Sequence, residues 1–328
     1  MDSIQGIYEI RRERILEYMR LAQDKYKWAV RPIYGRVRPG IAPKHIGSCV
    51  LLLVSDTRFL VTAGHITDVS KHTTLHVASN NELIPLSFDS GVTTNPEVPR
   101  DKDVHDFSVC ALSDATRKEL GDVKYITEKE MHKALPLGHN RLRMVMGFPT
   151  SKNRKGVDNL QRRIGGTGWT YVSFATDDTH VATNLGIRPG DHVFVEFDHK
   201  ESINPDGVGT HSMAPAGASG GAMFDLGKLD DPERLAKPAK CEAKLVGILT
   251  EHRARNKTIV ATRIKLVLDA CQHLLSMRAV SEVKPSRLNF GINILWFLLY
   301  LGFRFLPHKP YSGKLRKVAV KYFGGLSR

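Results

Sequence analysis

The stretch that most constrains this chain runs from Ala214 to Asp225, Ala-Pro-Ala-Gly-Ala-Ser-Gly-Gly-Ala-Met-Phe-Asp. It sets a serine between glycines at the foot of an apolar run. Gly217 and Gly220 carry no Cβ, so the backbone is free to turn sharply around Ser219 and to let a substrate carbonyl come close. In such a turn the N–H groups of Gly217 and Ser219 can face one spot, where two donors stabilise the oxyanion of a tetrahedral intermediate. Losing one such donor typically costs roughly 10²- to 10³-fold in rate. The same residues also make an ordinary flexible turn, so the motif needs support from elsewhere in the chain.

A serine hydroxyl is a weak nucleophile near neutral pH and requires a histidine base with a carboxylate to orient it. Phe59 to Thr67 reads Phe-Leu-Val-Thr-Ala-Gly-His-Ile-Thr, an apolar strand that ends in small residues and delivers His65. Asp103 to Leu112 reads Asp-Val-His-Asp-Phe-Ser-Val-Cys-Ala-Leu, with Asp106 just ahead of a strand. Taken singly, a histidine at a strand end is most often structural, and an aspartate before a strand is most often a turn residue. The order His, Asp, Ser in three matching local contexts is hard to obtain by accident.

These residues carry a resemblance to the trypsin-like (chymotrypsin-fold) serine proteases. Val61-Thr62-Ala63-Gly64-His65 resembles the family's histidine motif, Asp106-Phe107-Ser108-Val109 its aspartate strand, and Gly217-Ala218-Ser219-Gly220-Gly221 its serine loop. Leu245 to Thr250 and Val260 to Ile264 are similar to the strand pair that walls the family's specificity pocket. The resemblance implies an all-β fold of two six-stranded antiparallel β-barrels, here with an N-terminal helix and C-terminal helices. It implies a serine endopeptidase acting on protein or peptide through an acyl-enzyme, with His65 as base, Asp106 orienting it and Ser219 as nucleophile. Gly217 and Ser219 would form the oxyanion hole, and no cofactor or metal is expected. Met213, Thr250 and Ile259 fall where relatives line the primary pocket; none is charged, which favours a small or medium apolar side chain over Arg or Lys.

The departures are specific. Ala218 stands where digestive members place an aspartate, Gly64 where they place an alanine, and no Ile-Val-Gly-Gly-type segment offers a zymogen switch. The likeness is closer to bacterial and intracellular branches. Ile66 follows the histidine where secreted relatives have a disulfide cysteine. Cys49, Cys110, Cys241 and Cys271 form no C-x-x-C pair. With no apolar leader near the N-terminus, the expectation is a reducing, cytoplasmic setting.

The organisation expected is a helix over 3–30 and a linker to 40, a protease domain over 41–280, and a tail over 281–328. Within the domain, barrel one covers about 41–133, barrel two about 142–262, and a closing helix 263–278. The N-terminal helix, with Ile4, Tyr8, Ile15, Met19, Ala22 and Tyr26 on one face, suits packing on the barrel or on a regulatory partner. Short strands are expected at 46–54 and 58–63, a helix at 127–132, and solvated loop ends at Asp177-Asp178.

Net charge is +14, and nine Lys and Arg against one Glu from Ser281 onward supply +8 of it. The apolar run 288–306 beside that basic tail is either a membrane anchor or a helix buried on protein. A protease gated by a partner or by membrane attachment fits these features, and a silent protease-like scaffold is the alternative. No motif supports a nucleic-acid reading of the charge, and no His or Cys cluster has metal-ligand spacing.

Overall fold

The computed structural model describes residues 2–36, 42–79, 82–134, 141–153, 157–158, 163–164, 166–188, 190–198, 202–203, 209–210, 212–228 and 240–282. Met1–Met277 form one compact unit and Arg278–Arg328 a second. The apolar segment 288–306, the basic tail and His211 lie outside the described residues.

Helix α1 (Asp2–Tyr26) leads into strands β1 (Val30–Arg36), β2 (Lys44–Val54) and β3 (Thr57–Ala63), the short helix α2 (Gly64–Asp68), then β4 (Thr74–Ser79), β5 (Glu82–Pro85) and β6 (Phe88–Thr93). Strand β7 (Phe107–Leu112), helix α3 (Asp114–Leu120) and β8 (Ile126–Thr127) complete the first half. Their sheet runs β5-β4-β1-β2-β3-β7-β6, with β8 added in parallel beside β2. The second half holds β9 (Arg141–Gly147), α4 (Thr150–Asn153), β10 (Val157–Asp158), β11 (Arg163–Ile164), β12 (Trp169–Phe174), α5 (Asp178–Asn184) and β13 (His192–Glu196). It continues with β14 (Ser202–Ile203), β15 (Gly209–Thr210), β16 (Ala222–Lys228), β17 (Lys244–Arg253), β18 (Thr258–Arg263) and α6 (Ile264–Glu282). Here the order is β12-β9-β16-β17-β18-β13, and a bridge between Ala175 and Val195 joins the two edges. Two curled antiparallel sheets with a helix at each end of the described chain are the chymotrypsin-like arrangement.

The apolar runs are long because each strand serves two cores. On β2, Cys49 and Leu51 point into barrel one beside Ile33, Leu60 and Leu75, while Val50, Leu52 and Val54 face the seam between the barrels. On β16, Met223 enters barrel two with Val145, Val193 and Ile259, while Phe224 and Leu226 face the seam. The period of two along a strand makes this division automatic. The seam is closed by α1 through Tyr18, Ala22 and Tyr26, one helical face at i, i+4, i+8, and by α6 through Ile264, Val267, Leu268, Cys271 and Leu274.

Three expectations change. Arg31-Pro32, read as a linker, lies inside β1. Pro32 pairs with Ser48 on one side only, just beyond the stretch Ile33–Arg36 that β4 covers, so its missing N–H breaks no ladder. The helix expected over 127–132 is a single 3₁₀ turn, Glu128–Glu130, in a capping box between Thr127 and Glu130. Of the two aspartates expected as solvated loop ends, Asp177 is exposed but Asp178 is not. Asp177 caps α5 by accepting from the N–H groups of Thr179 and His180, and Asp178 holds the buried Arg143 guanidinium at 2.5 and 2.7 Å.

Among the described residues no helix is long and apolar enough to cross a membrane. All four cysteines are free thiols; burial pushes those of Cys49, Cys110 and Cys271 up to about 12.

Candidate active site

Strand register places the first two residues. β3 and β7 are antiparallel, with Ala63 opposite Phe107, so the residues just outside that pair, Gly64 and Asp106, are forced together. The Gly64 N–H donates to the Asp106 carbonyl at 2.9 Å. Asp106 sits at φ +38, a left-handed conformation that Asp tolerates better than most residues. The first turn of α2 then turns the His65 ring onto the Asp106 carboxylate: Nδ1 meets Oδ2 at 2.6 Å, and the His65 main-chain N–H donates to Oδ1 at 2.9 Å. A carboxylate only accepts, so Nδ1 carries the proton and Nε2 is left with its lone pair. The Asp106 side chain is 12% exposed and that of His65 42%, a buried carboxylate behind an open imidazole.

Ser219 comes from the other barrel. Its loop is pinned by main-chain bonds: Ala218 N–H to Pro215 O at 2.7 Å, Gly220 N–H to Leu249 O at 2.7 Å and Gly221 N–H to Ala218 O at 2.9 Å. Gly217 and Gly220 have φ of +90 and +82, and a Cβ on Gly220 would lie 2.0 Å from Ser48 O and 2.3 Å from Thr62 Oγ1. The loop is thus pressed onto the ends of β2 and β3, the latter being the strand that delivers His65. Ser48 is the clasp. Its N–H donates to Ser219 O at 2.8 Å, its hydroxyl donates to Gly217 O at 3.1 Å, and the hydroxyl accepts from Phe148 N–H at 2.9 Å. The N–H groups of Gly217 and Ser219 have no protein acceptor among the described residues, while those of Ala218, Gly220 and Gly221 are all taken.

Beside Ser219 lies a cavity of about 320 Å³ walled by Val145, Ala214, Pro215, Ala216, Ala218, Leu249, Thr250, Glu251, His252 and Ile259. Thr250 and Ile259 both line this cavity. Met213 is not on this wall. The turn closed by Ala218 N–H on Pro215 O brings Ala214 to Ala216 to the cavity instead, and Met213 packs among Val145, Trp169 and the other barrel-two core residues. Glu251, at the mouth, is paired with Arg253 at 2.9 Å.

Several residues around the site are not legible from local sequence. His45, buried beside Gly217 and Thr150, is lowered to about 4 by desolvation, and its Nε2 has no partner. His105 and His192 stack with ring centroids 5.3 Å apart, His105 faces Asp191, and Thr262 donates to His105 O. These contacts fasten the loop before Asp106 to barrel two. Arg100 reaches both the α2 helix and that loop. Among the described residues no three metal-ligating side chains converge.

No family model matches the chain, and no curated protein matches it. Among solved structures it is similar to the VesB protease of Vibrio cholerae, with a TM-score of 0.47 and 10% identity, over 74% of this chain. The match spans 62% of that protein, less than two thirds of its length. The fold rests on the two sheets themselves, and no residue role is carried over from that protein.

Proposed function

We propose that the chain is a serine endopeptidase in which Ser219 attacks a peptide carbonyl. The observation that carries this reading is the doubly bonded His65–Asp106 pair, held by strand register next to a serine loop that is itself docked on the histidine strand. His65 Nε2 takes the Ser219 proton as the Ser219 Oγ–carbonyl carbon bond forms, and returns it to the amine as the C–N bond breaks. Asp106 fixes the imidazole tautomer and stabilises the imidazolium. The N–H groups of Gly217 and Ser219, free of acceptors among the described residues, are available to the oxyanion. Water, deprotonated by the same imidazole, then releases the acyl group as a carboxylic acid. The cavity wall of Val145, Leu249 and Ile259 suits a small or medium apolar side chain at the residue whose carbonyl is attacked.

A fluorophosphonate probe tests this without knowledge of the substrate. Covalent labelling of the wild type is expected, and its loss in both Ser219→Ala and His65→Ala. A folded wild type that does not label would sink the reading and leave a protease-like binding scaffold. A peptide-library cleavage profile of the unlabelled wild type then reads the preference set by Ile259.

A further inference from the structure

Arg100 was singled out by no motif, yet its guanidinium makes four hydrogen bonds in the densest charge cluster near the site. Nε donates to Asp68 Oδ2 at 2.5 Å, Nη1 to Asp103 Oδ2 and to Thr94 O at 2.7 Å each, and Nη2 to Thr93 Oγ1 at 3.0 Å. Asp68 lies three residues after His65 on α2, and Asp103 lies three residues before Asp106. One planar fork therefore ties the helix that carries the histidine to the loop that carries the aspartate. The anchor in the loop is firm: Asp103 has no exposed side-chain surface and also accepts from Thr94 Oγ1, Asn95 Nδ2 and the His105 N–H.

Gly64 explains how the arginine fits. A Cβ on Gly64 would sit 2.9 Å from Asp106 Oδ1 and 3.0 Å from Arg100 Nη1. Those two atoms are therefore no more than about 6 Å apart, within the range where an opposite charge favours an ionised carboxylate. The departure from alanine before the histidine is thus matched by a cation that needs the vacated space.

We propose that Arg100 is a positioning residue for the His65–Asp106 pair, admitted by Gly64 and acting through both the geometry and the charge around the imidazole. This rests on the protease reading above. The charged groups around His65 are Asp106 against its ring, Asp68 on its own helix with Lys71 paired to it, Arg100 and Asp103 in the loop before Asp106, and His105 of that loop with its partner Asp191 from barrel two. Lys71 also pairs with Asp68, but Arg100 bonds both Asp68 and Asp103 and has a guanidinium nitrogen within about 6 Å of an Asp106 carboxylate oxygen. Replacing Arg100 by a neutral side chain leaves those carboxylates to stabilise the imidazolium, so the base becomes harder to deprotonate. A lysine keeps the charge but cannot reproduce the fork.

The test is the pH dependence of fluorophosphonate labelling rate for wild type, Arg100→Gln, Arg100→Lys and Gly64→Ala, with near-UV circular dichroism as the folding control. For Arg100→Gln the plateau rate is expected to fall about tenfold or more, and the acid limb to move up by on the order of one pH unit. Arg100→Lys is expected to lose plateau rate while its limb stays near that of wild type. Gly64→Ala should lower the plateau when Arg100 is present and do less in the Arg100→Gln background. An Arg100→Gln variant with wild-type plateau and limb overturns the proposal, as does an equal loss in both Arg100 variants with an unmoved limb, which mere scaffolding would give. If folded wild type fails to label, the protease reading is at fault. The His65 imidazole titration, followed by NMR in Ser219→Ala with and without Arg100→Gln, then decides the placement separately: an upward midpoint shift supports it and an unshifted midpoint overturns it.

Discussion

At the level of single residues, the groups proposed to carry the chemistry stood out in the sequence because their types are rare in such contexts, whereas the groups that hold them did not. His65 and Ser219 stand beside small residues at a strand end, and Asp106 stands directly before an apolar strand. Ser48 and Arg100 look like any surface polar residue until the register of β2, β3 and β7 brings distant segments together. His45 belongs to the same class, and it yields a prediction. Its imidazole is buried beside Gly217, and desolvation lowers it from 6.5 to about 4. Below pH 6.5 the unfolded chain binds a proton at this residue that the native protein refuses. The contribution of a neutral His45 is therefore fully present above the unfolded value and is lost as pH falls through about 4. At 1.36 kcal/mol per unit the effect reaches on the order of 3 kcal/mol. Burial also lowers His76 and His192, so their effect has the same sign. Urea unfolding free energies measured from pH 7 down to pH 4.5 should fall steadily for wild type and less steeply for His45→Gln. Parallel slopes in the two proteins would remove His45 from this account.

At the level of elements, period and punctuation revealed what depends on neighbours in sequence. The hairpin of β2 and β3 was visible from Ser55-Asp56-Thr57 between two apolar runs; Thr57 already pairs with Val54, and the two turn residues Ser55 and Asp56 adopt positive φ, as a two-residue hairpin turn requires. The buried positions of α6 followed from its helical spacing. Strand β1 was hidden by Pro32, and α5 by a pair of aspartates, of which Asp177 caps the helix locally and Asp178 answers to Arg143, 35 residues away in sequence. In α1 the apolar spacing found Ala22 and Tyr26 but passed over Tyr18, which lies four residues before Ala22 on the same face and is buried with it. That helix supplies a second prediction. The Tyr26 ring stacks on Phe224 at 4.4 Å and its hydroxyl donates to Ala243 O at 2.6 Å, so one side chain joins α1 to barrel two. Tyr26→Phe should cost about 1 kcal/mol through the lost hydrogen bond, and Tyr26→Ala roughly 3–5 kcal/mol through the cavity it leaves. Equilibrium denaturation of the two variants measures both. A Tyr26→Ala protein as stable as wild type would mean that α1 only leans on the barrels.

On the scale of the whole molecule, the largest core belongs to neither barrel. Val50, Leu52 and Phe59 of the first sheet share it with Met144, Phe224 and Leu245 of the second, and with Tyr26 of α1 and Val267 of α6. The interiors of the two barrels are separate, smaller groups. The proposed site is divided in the same way, with His65 and Asp106 on the first barrel and Ser219 on the second, whose loop Ser48 of the first barrel holds. Such a division functions only if the barrels cannot come apart before they unfold. A shared core enforces that, because opening the seam exposes apolar faces of β2, β3, β7, β9 and β16 together, at roughly 25 cal/mol per Å² of apolar surface. We therefore expect residues 1–277 to unfold in one cooperative transition rather than barrel by barrel. Calorimetry should give a single peak with calorimetric and van't Hoff enthalpies in agreement. Phe224→Ala should move that peak down without splitting it, since the lost contacts are common to both halves. Two resolved transitions, or a Phe224→Ala protein in which near-UV and far-UV signals melt apart, would mean that each barrel is stable alone. The serine loop would then sit on a hinge rather than on a fixed seam.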